Sequence, residues 1–282
     1  MDFISILTAT LILGSVGLAF GGLIAIANRK FSVWEDPRIG GTVERLPGTN
    51  CGACGFPGCQ GFAEGLVAGK TEPTGCTVMG ADEIEEVATY LGVDAGDATK
   101  VVARLLCAGG TDVAIQLAPY AGYETCGGAA AVAGGGKGCP WGCLGLADCE
   151  VACDFDAIHM SDTGLPVVDP DLCTACNDCV AVCPKDLFVL MPIEQKLIVQ
   201  CKNLLEGDDA ETLCAVACTA CGRCVADAHE GVITIADGLA IVDYEKNNLA
   251  GIEAIERCPT NAIVWVEGAQ FEDLSPALAA KS

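Results

Sequence analysis

The chain has few basic residues and few aromatic residues. Lys and Arg number 15 against 38 Asp and Glu, which gives a formal net charge of −23. A surface this acidic repels phosphate groups, so the composition excludes a nucleic-acid-binding protein. Aromatic residues are 5% of the 282 residues. Small domains with few large apolar side chains depend on bound metal to complete their stability.

A nucleotide- or flavin-binding fingerprint is also lacking. The glycine run at residues 134–136 lies in a stretch rich in Ala and Gly, and no strand leads into a G-x-G-x-x-G pattern. We therefore expect no flavin, no nucleotide and no stand-alone catalytic site on this chain.

Cysteine, in contrast, is abundant, with 20 residues. An even number is compatible with a disulfide framework, but one compact run argues for reduced thiolates in a reducing compartment. That run is C-x2-C-x2-C-x3-C-P, which binds [4Fe–4S] clusters in bacterial ferredoxins and gives its fourth Cys to a neighbouring cluster. It consists of Cys173, Cys176, Cys179 and Cys183.

A second run lies upstream, with intervals of x3, x5 and x3. It consists of Cys139, Cys143, Cys149 and Cys153. Exchange of the fourth ligands predicts one site from Cys139, Cys143, Cys149 and Cys183 and another from Cys173, Cys176, Cys179 and Cys153. Between the runs, residues 157–160 and 165–168 predict a short hairpin. His159 on this hairpin is interpreted as a strand residue rather than a ligand.

The chain then repeats part of itself. Residues 164–169 (GLPVVD) match residues 238–243 (GLAIVD). This copy carries one ligand set, Cys218, Cys221, Cys224 and Cys258. The cysteines of a second set are replaced by Asn247, Ala250 and Glu253. Loss of one whole set indicates a module that once held two clusters and now holds one. His229, beside the vacancy, has no neighbouring thiol and is not expected to be a ligand.

Another four cysteines follow the N-terminal segment: Cys51, Cys54, Cys59 and Cys76. Glycines around them let the backbone approach a cluster and donate N–H groups to its sulfurs. A zinc ion is the alternative to a cluster, because zinc sites also contain C-x2-C. Zinc sites usually contain two C-x2-C pairs or histidine, and this stretch has neither. The acidic stretch 82–91 predicts an amphipathic helix that packs on this domain.

A long uncharged segment lies at the N-terminus. Residues 4–27 contain no charge, and about 20 apolar residues span a bilayer. Arg29 and Lys30 follow at once, so the positive-inside rule predicts a single-pass anchor with the later domains in the cytoplasm. A secretory signal is the alternative, but a basic n-region and an A-x-A site are missing. Gly17 and Gly21 are either a helix-packing pair or ordinary membrane glycines.

Three motifs together resemble a known family. They are EDPR at residues 35–38, LPGTNCGACGFPGC at 46–59 and GCPWGCLG at 138–145. With the N-terminal anchor, they resemble the B subunit of the Rnf complex, a membrane-bound, ion-translocating ferredoxin:NAD oxidoreductase, over nearly the whole chain. The resemblance implies reduced ferredoxin as donor, NAD as distant acceptor, and flavins and the ion path in other subunits. It also implies a bacterial or archaeal cell membrane.

The predicted architecture is α+β, and the predicted function is electron relay within that complex. We expect a transmembrane anchor at 1–30, a [4Fe–4S] domain at 31–95, a connecting segment at 96–138 ending in a loose Gly/Ala-rich tether at 127–138, a two-cluster ferredoxin module at 139–192, a one-cluster ferredoxin module at 193–268 and a tail at 269–282. Alternatives are an Fe–S relay of another membrane reductase and a redox-sensing or scaffold protein. Several clusters in tandem favour conduction.

Two further sets of residues give more specific expectations. Lys185, Lys196 and Lys202 are a candidate docking site for an acidic ferredoxin, or simply solvated lysines. Four cysteines lie outside every run: Cys107, Cys126, Cys201 and Cys214. Four thiols are enough for a fifth [4Fe–4S] cluster or a zinc ion. Small buried packing residues are the alternative, and a disulfide is not expected in the cytoplasm. The chain is therefore predicted to bind four [4Fe–4S] clusters, or five.

Overall fold

The computed structural model describes residues 3–31, 36–96 and 99–271. Short helices and short strands alternate after the first helix. Within the described ranges, the strands form four separate two-stranded sheets. The mixed helix and strand content agrees with the predicted α+β class.

The first helix, α1, extends over Phe3–Phe31. Its segment Thr10–Phe31 has a mean hydropathy of 2.1, and none of it is buried. Length and composition therefore make α1 a candidate membrane span, and it contains the predicted segment 4–27 whole. Arg29 and Lys30 lie in its last turn, where positive charge is favoured by the helix dipole.

A small helical domain follows. It contains α2 (Pro37–Val43), α3 (Gly58–Val67), a 3-10 turn (Pro73–Gly75) and α4 (Ala81–Leu91). The Asp36 carboxylate accepts a hydrogen bond from the backbone N–H of Arg38 at 2.9 Å, which caps α2. Ile84 and Val87 on α4 are buried against the domain core, so the predicted amphipathic helix is confirmed.

The middle unit of the chain, residues 101–192, is enclosed by two long-range strands. β1 (Val101–Leu105) pairs antiparallel with β4 (Phe188–Pro192). Between them lie α5 (Cys126–Ala131), α6 (Asp148–Val151), the hairpin of β2 (Ile158–Met160) and β3 (Pro166–Val168), and α7 (Asp178–Val182). The hairpin predicted around residues 161–164 is therefore confirmed.

The C-terminal unit, residues 197–265, repeats this strand arrangement. β5 (Leu197–Val199) pairs antiparallel with β8 (Ile263–Trp265). Between them lie α8 (Gly207–Leu213), α9 (Arg223–Asp227), the hairpin of β6 (Ile233–Ala236) and β7 (Leu239–Val242), and α10 (Glu253–Glu256). The sequence repeat thus corresponds to a structural repeat that also includes the outer strands β1 and β5.

The glycine-rich segment 127–138 is ordered, unlike the loose tether that its composition predicts. Most of it lies in α5 and in a 3-10 turn at Ala133–Gly136. The Gln116 side chain donates to the Gly135 carbonyl at 2.8 Å, and the backbone N–H of Leu117 donates to the Gly136 carbonyl at 2.8 Å. Gly136 has a φ of +76°, and a Cβ there would collide with the Ala118 carbonyl. Here glycine permits a tight turn rather than flexibility.

The segment predicted as a C-terminal tail is packed as far as it is described. Gln270 is 2% exposed. Its amide accepts from the backbone N–H of Leu105 at 3.0 Å and donates to the Leu105 carbonyl at 2.8 Å. Arg104 also donates to the Gly268 carbonyl at 2.8 Å. The end of the described chain therefore covers the edge of β1 that β4 leaves free. Residues 272–282 of the predicted tail lie outside the described residues.

Candidate metal centres

All twenty cysteines are free thiols. Four cavities are each lined by four of them, and the empty volumes of these cavities are close to one another, at about 310, 320, 330 and 350 Å³. Four cavities with the same set of donor atoms are suited to the same kind of bound group. Four thiolates per group is the ligand set of a [4Fe–4S] cluster.

The first cavity lies in the small helical domain and is lined by Cys51, Cys54, Cys59 and Cys76. Asn50, at a φ of +51°, turns its side chain so that Oδ1 accepts from the backbone N–H of Cys59 at 2.9 Å. Gly58 has a φ of +77°, and a Cβ there would lie 2.8 Å from Asn50 Oδ1. The glycines of this loop therefore bring the backbone close around the four sulfurs. The structure places these four residues together as the sequence predicts.

The second cavity lies in the middle unit and is lined by Cys173, Cys176, Cys179 and Cys153. This is the exchanged set that the ferredoxin spacing predicts, with Cys153 coming from the upstream run. The backbone N–H of Ala103 on β1 donates to Cys173 Sγ at 3.5 Å. Burial raises the pKa of Cys179 to about 12, and the nearby Cys173 and Cys176 thiolates add to this rise. Crowded thiols of this kind gain from sharing a cation.

The third cavity lies in the C-terminal unit and is lined by Cys218, Cys221, Cys224 and Cys258, which is again the predicted set. Beside it, where the repeat lacks cysteines, Asp227 at the end of α9 forms an ion pair with Arg257. The Arg257 guanidinium lowers the pKa of the Asp227 carboxyl. Asn247 donates to the Glu194 carbonyl at 3.3 Å. Polar contacts therefore occupy the neighbourhood in which the repeat has lost a ligand set.

The fourth cavity differs from its prediction in one cysteine. Its lining contains Cys126, Cys143, Cys149 and Cys183, and it does not contain Cys139. Cys126 begins α5, whose first turn is capped by the Thr125 side chain at 3.1 Å. The backbone N–H of Gly127 donates to the Asp148 carboxylate at 3.0 Å. This bond ties the start of α5 to α6, and Cys149 lies on α6.

The remaining cysteines are Cys107, Cys139, Cys201 and Cys214. All four are buried. Burial raises the pKa of Cys214, and the neighbouring Cys107 and Cys139 thiolates raise it further. Cys139 therefore lies beside two cysteines that belong to no cluster run, although its own spacing resembles part of such a run.

His159 lies on a strand, as its place in the sequence predicts. From β2, its Nδ1 atom is 3.9 Å from the carboxylate of Glu150 on α6. Across residues 3–31, 36–96 and 99–271, no group of three or more His, Cys, Asp or Glu side chains is close enough together to hold a single metal ion.

The three lysines predicted to dock ferredoxin do not form one free patch. The Lys185 amino group donates to the Pro140 carbonyl at 2.9 Å, and the Lys202 amino group donates to the Asp186 carbonyl at 2.6 Å. Lys196 forms an ion pair with Glu267 at 2.8 Å. Each charge is therefore held by a local partner, and that of Lys196 is offset by a carboxylate.

Comparison with known proteins gives both domain and whole-chain similarities. A family model for an Fe-S cluster matches residues 46–78, and one for a 4Fe-4S binding domain matches residues 165–188. The chain is 42% identical over 259 residues to the B subunit of the Na(+)-translocating ferredoxin:NAD(+) oxidoreductase complex of Acetobacterium woodii, covering 92% of this chain and 78% of that protein. It is 33% identical over 252 residues to the B subunit of the ion-translocating oxidoreductase complex of Methanosarcina acetivorans, covering 89% and 95%.

The chain belongs to the family of Rnf complex B subunits. A third family member, the B subunit of the proton-translocating ferredoxin:NAD(+) oxidoreductase complex of Clostridium ljungdahlii, is 32% identical over 250 residues, covering 88% of each chain. The two domain matches coincide with the Rnf-type cysteine loop of the first cavity and with the compact ferredoxin run. The Rnf relatives are named for different coupling ions, so family membership alone does not assign one to this chain.

Proposed function

We propose that this chain is the electron-relay subunit of a membrane-bound, ion-translocating ferredoxin:NAD oxidoreductase complex. The observation that carries the proposal is the series of four-cysteine cavities within a chain of the Rnf B-subunit family. A [4Fe–4S] cluster held in each cavity supplies reversible one-electron chemistry. The repeated strand order of the middle and C-terminal units supports two tandem ferredoxin-like modules, with the predicted boundaries near 139–192 and 193–268 extended upstream to include β1 and β5.

The proposed ligands follow the cavities. Three sets are those expected from the sequence: Cys51, Cys54, Cys59 and Cys76; Cys173, Cys176, Cys179 and Cys153; and Cys218, Cys221, Cys224 and Cys258. The fourth set is Cys126, Cys143, Cys149 and Cys183. It replaces the predicted Cys139 with Cys126, because the tie between α5 and α6 brings Cys126 to that cavity.

Three of the four cavities are neighbours of one another. Cys149 and Cys153 bracket the last turn of α6 and line different cavities, so these two cavities of the middle unit lie side by side. A wider cleft, with about 1070 Å³ of empty space, is lined by both Cys76 and Cys173. It places the cavity of the N-terminal domain next to the Cys173 cavity. This order supports a path between the middle unit and the N-terminal domain. The C-terminal unit extends the path, because it is joined to the middle unit by the hydrogen bond from the Ala108 N–H to the Gln200 carbonyl at 3.0 Å.

The two ends of this path are the most open. Of the twenty cysteines, two are exposed: Cys51 in the N-terminal cavity and Cys221 in the C-terminal cavity. The N-terminal domain follows α1 closely in sequence, so its cavity is the natural exit towards membrane-embedded subunits. The C-terminal cavity is then the natural entrance for electrons from a soluble ferredoxin. Cytoplasmic placement of both units and a single membrane span are part of this proposal, supported by Arg29 and Lys30 after the span.

A basic side chain lies at the proposed entrance. Arg223 lines the C-terminal cavity beside Cys221 and is exposed. It is a better candidate for docking an acidic ferredoxin than the predicted lysines, whose amino groups already have partners. Opposite charge at this position raises the association rate of an acidic donor more than the final affinity.

The proposal is tested on the intact complex in sealed vesicles. Reduced ferredoxin should drive NAD reduction, and addition of sodium or of a protonophore identifies the coupling ion. The variant Cys221→Ala should abolish ferredoxin-dependent NAD reduction. Gly40→Ala, at a helical glycine with nothing within 4 Å of an added Cβ, keeps all cysteines and serves as an assembly control. Reduction of a different acceptor with no use of NAD supports a relay for another reductase. Absence of any electron transfer through assembled clusters supports a sensor or scaffold.

A further inference from the structure

Four cysteines lie outside the four cavities, and all are deeply buried. They are Cys107, Cys139, Cys201 and Cys214, with exposures of 8%, 7%, 8% and 7%. Cys107 and Cys139 belong to the middle unit, and Cys201 and Cys214 belong to the C-terminal unit. Cys107 and Cys201 occupy equivalent places in the repeat, since each lies two residues beyond its outer strand, β1 or β5.

One segment, residues 108–115, connects the backbones next to all four. Next to Cys107, the Ala108 N–H donates to the Gln200 carbonyl at 3.0 Å, and Gln200 precedes Cys201. Ile115 N–H donates to the Leu213 carbonyl at 3.0 Å, while Ala215 N–H donates to the Val113 carbonyl at 2.9 Å, so Cys214 is held from both sides. Gly138 N–H donates to the Ile115 carbonyl at 2.8 Å, which fixes the residue before Cys139.

Two of the four sulfurs meet at Gly109 within this segment. A Cβ on Gly109 would lie 3.1 Å from Cys214 Sγ and 3.6 Å from Cys107 Sγ. The two sulfurs are therefore no further apart than the sum of these distances. Burial raises the pKa of Cys139, where the Cys107 thiolate adds to the rise. Burial also raises the pKa of Cys201 to about 11, with a further rise from the Cys218 and Cys107 thiolates. The backbone places Cys107 near the other three: Ala108 bonds to Gln200 beside Cys201, and Cys107 Sγ accepts from Cys143 on the loop that starts at Cys139.

The surroundings of these thiols suit thiolates. The backbone N–H of Cys143 donates to Cys107 Sγ at 3.4 Å, and the backbone N–H of Asn203 donates to Cys201 Sγ at 3.4 Å. Lys137 donates to the Gly109 carbonyl at 2.5 Å, and its charge opposes the rise in pKa of Cys139 and Cys214. Backbone donors and one half-buried cation stabilise a negatively charged cluster in a protein interior.

We infer that Cys107, Cys139, Cys201 and Cys214 hold a fifth [4Fe–4S] cluster, which links the middle and C-terminal units. A cluster fits better than a zinc ion because each thiolate binds a different corner of the cube. The four sulfurs then stand wider apart than around one zinc ion, where every Zn–S bond is about 2.3 Å. This matches thiols that converge without forming a single-ion group among the described residues.

The position of this site gives it a specific role. Cys201 accepts a hydrogen bond from the backbone of Cys218, which lines the C-terminal cavity. Cys107 accepts from the backbone of Cys143, which lines the fourth cavity. The fifth site therefore lies between the proposed entrance and the middle unit. Because electron tunnelling slows steeply with distance, a cluster here completes a continuous five-site path. This bridging role rests on the proposed relay function, whereas the site itself does not.

The test uses the full-length chain, purified anaerobically in detergent and reconstituted with iron and sulfide. Iron and acid-labile sulfide should each reach about twenty per chain, since each cube holds four of both. Cys139→Ala, Cys214→Ala and the variant with all four cysteines replaced by alanine should each lose the same, about four irons. Cys126→Ala should lose about four irons from a different site, so combining it with Cys139→Ala should lose about eight.

Several results would overturn the inference. Wild-type iron near sixteen, unchanged in the four-alanine variant, would leave these cysteines as packing residues. One zinc per chain, lost in that variant, would make the site a zinc site. An additive loss of about eight irons in the four-alanine variant would return Cys139 to the fourth cavity. If that variant fails to fold, Gly109→Ala decides, because its added Cβ lies 3.1 Å from Cys214 Sγ and 3.6 Å from Cys107 Sγ, with Ala114 Cβ at 3.4 Å. Iron equal to wild type in this variant would contradict the site.

A matched control and a second readout separate this inference from the relay function. Gly40→Ala, at a helical glycine with nothing within 4 Å of an added Cβ, should keep all the iron. In sealed vesicles, complexes with Cys139→Ala should retain about sixteen irons in this subunit and lose ferredoxin-dependent NAD reduction. Full activity with the fifth cluster missing would contradict the bridging role while leaving the metal site and the proposed function in place.

Discussion

Gln270 offers a sharp test of how the chain end supports the metal sites. Its side chain makes two hydrogen bonds, of 3.0 and 2.8 Å, with the backbone of Leu105. Leu105 is 1% exposed and Gln270 is 2% exposed, so water does not readily replace either bond. The variant Gln270→Met keeps the approximate volume of the side chain and removes both bonds. It leaves one buried N–H group and one buried carbonyl group without partners.

The expected cost follows from that count. A buried polar group that loses its partner costs about 1–3 kcal/mol, so two such groups cost about 2–6 kcal/mol in local stability of β1. Since about 1.4 kcal/mol is a tenfold change in an equilibrium constant, opening of β1 should become at least about 25-fold more frequent. Gln270→Ala should cost more, because it also leaves a cavity.

The assay is amide hydrogen exchange on the reconstituted full-length chain. Peptides covering 101–107 should exchange faster by the stated factor in Gln270→Met. Release of iron from the Cys173 cavity to a chelator should also be faster, because Ala103 on β1 donates to Cys173. Gln60→Ala, which removes a hydrogen bond of 3.2 Å between two exposed side chains, should change neither. Exchange of 101–107 within threefold of wild type in Gln270→Met would refute this account of the strand edge.

Three further predictions concern docking, the glycine-rich turn and the repeat core. Arg223→Glu should slow ferredoxin oxidation at low salt and flatten its salt dependence. Replacing the ion pair by Lys196→Gln together with Glu267→Gln should change little, because the two charges cancel. Stopped-flow oxidation of reduced ferredoxin measures both, and equal effects would argue against an electron entrance at Cys221. In Gly136→Ala, α5 should be displaced, and the protein should lose about four irons from the Cys126 cavity. The control is Gly69→Ala, at a glycine with a similar φ of +67° and nothing near an added Cβ. This control should be strained but should keep all its iron. Ile198→Ala, at a position with 0% exposure, should lower the stability of the C-terminal unit by about 2–5 kcal/mol. Cluster absorbance should then be lost at a lower denaturant concentration. An unchanged denaturation midpoint would contradict the packing of β5 and β8.

Local spacing explains why most of the proposed centres could be predicted from the sequence. Cys173 and Cys176 lie in one loop and Cys179 lies on α7 directly after it, so their grouping needs no knowledge of the fold. The exchange of Cys153 and Cys183 is a property of the ferredoxin run and could be transferred with it. The hairpin at 158–168 also depends on neighbouring residues only. In each case the sequence distance between partners is short.

The misassigned cysteine depends on contacts that spacing does not contain. Cys126 reaches the fourth cavity because Gly127 bonds to Asp148, 21 residues away. Cys139 is turned away because Gly138 bonds to Ile115. Neither bond has a sequence signal, and the interval of x3 between Cys139 and Cys143 resembles a ligand spacing by itself. The outer strand β1 was not predicted for the same reason, because its partner β4 begins 83 residues after β1 ends.

Composition also had two possible meanings in the segment 127–138. Glycine-rich sequence forms flexible linkers, but it also forms turns that need positive φ. Gly134, Gly135 and Gly136 all have positive φ, and the contacts that require it come from Gln116 and Leu117 in another loop. Only the partner segment distinguishes an ordered turn from a tether.

The two short helices α6 and α7 give the middle unit a particular vulnerability. Cys149 on α6 and Cys153 just beyond it line different cavities, and Cys179 and Cys183 are divided in the same way at α7. Oxidative loss of iron from one cavity therefore frees one end of each helix and loosens ligands of the neighbouring cavity. Insertion is coupled in the same sense, since the first cluster to bind positions half of the second site. We expect this unit to mature and to decay in pairs of clusters, so that a population damaged by oxygen contains full and empty units with few half-filled ones.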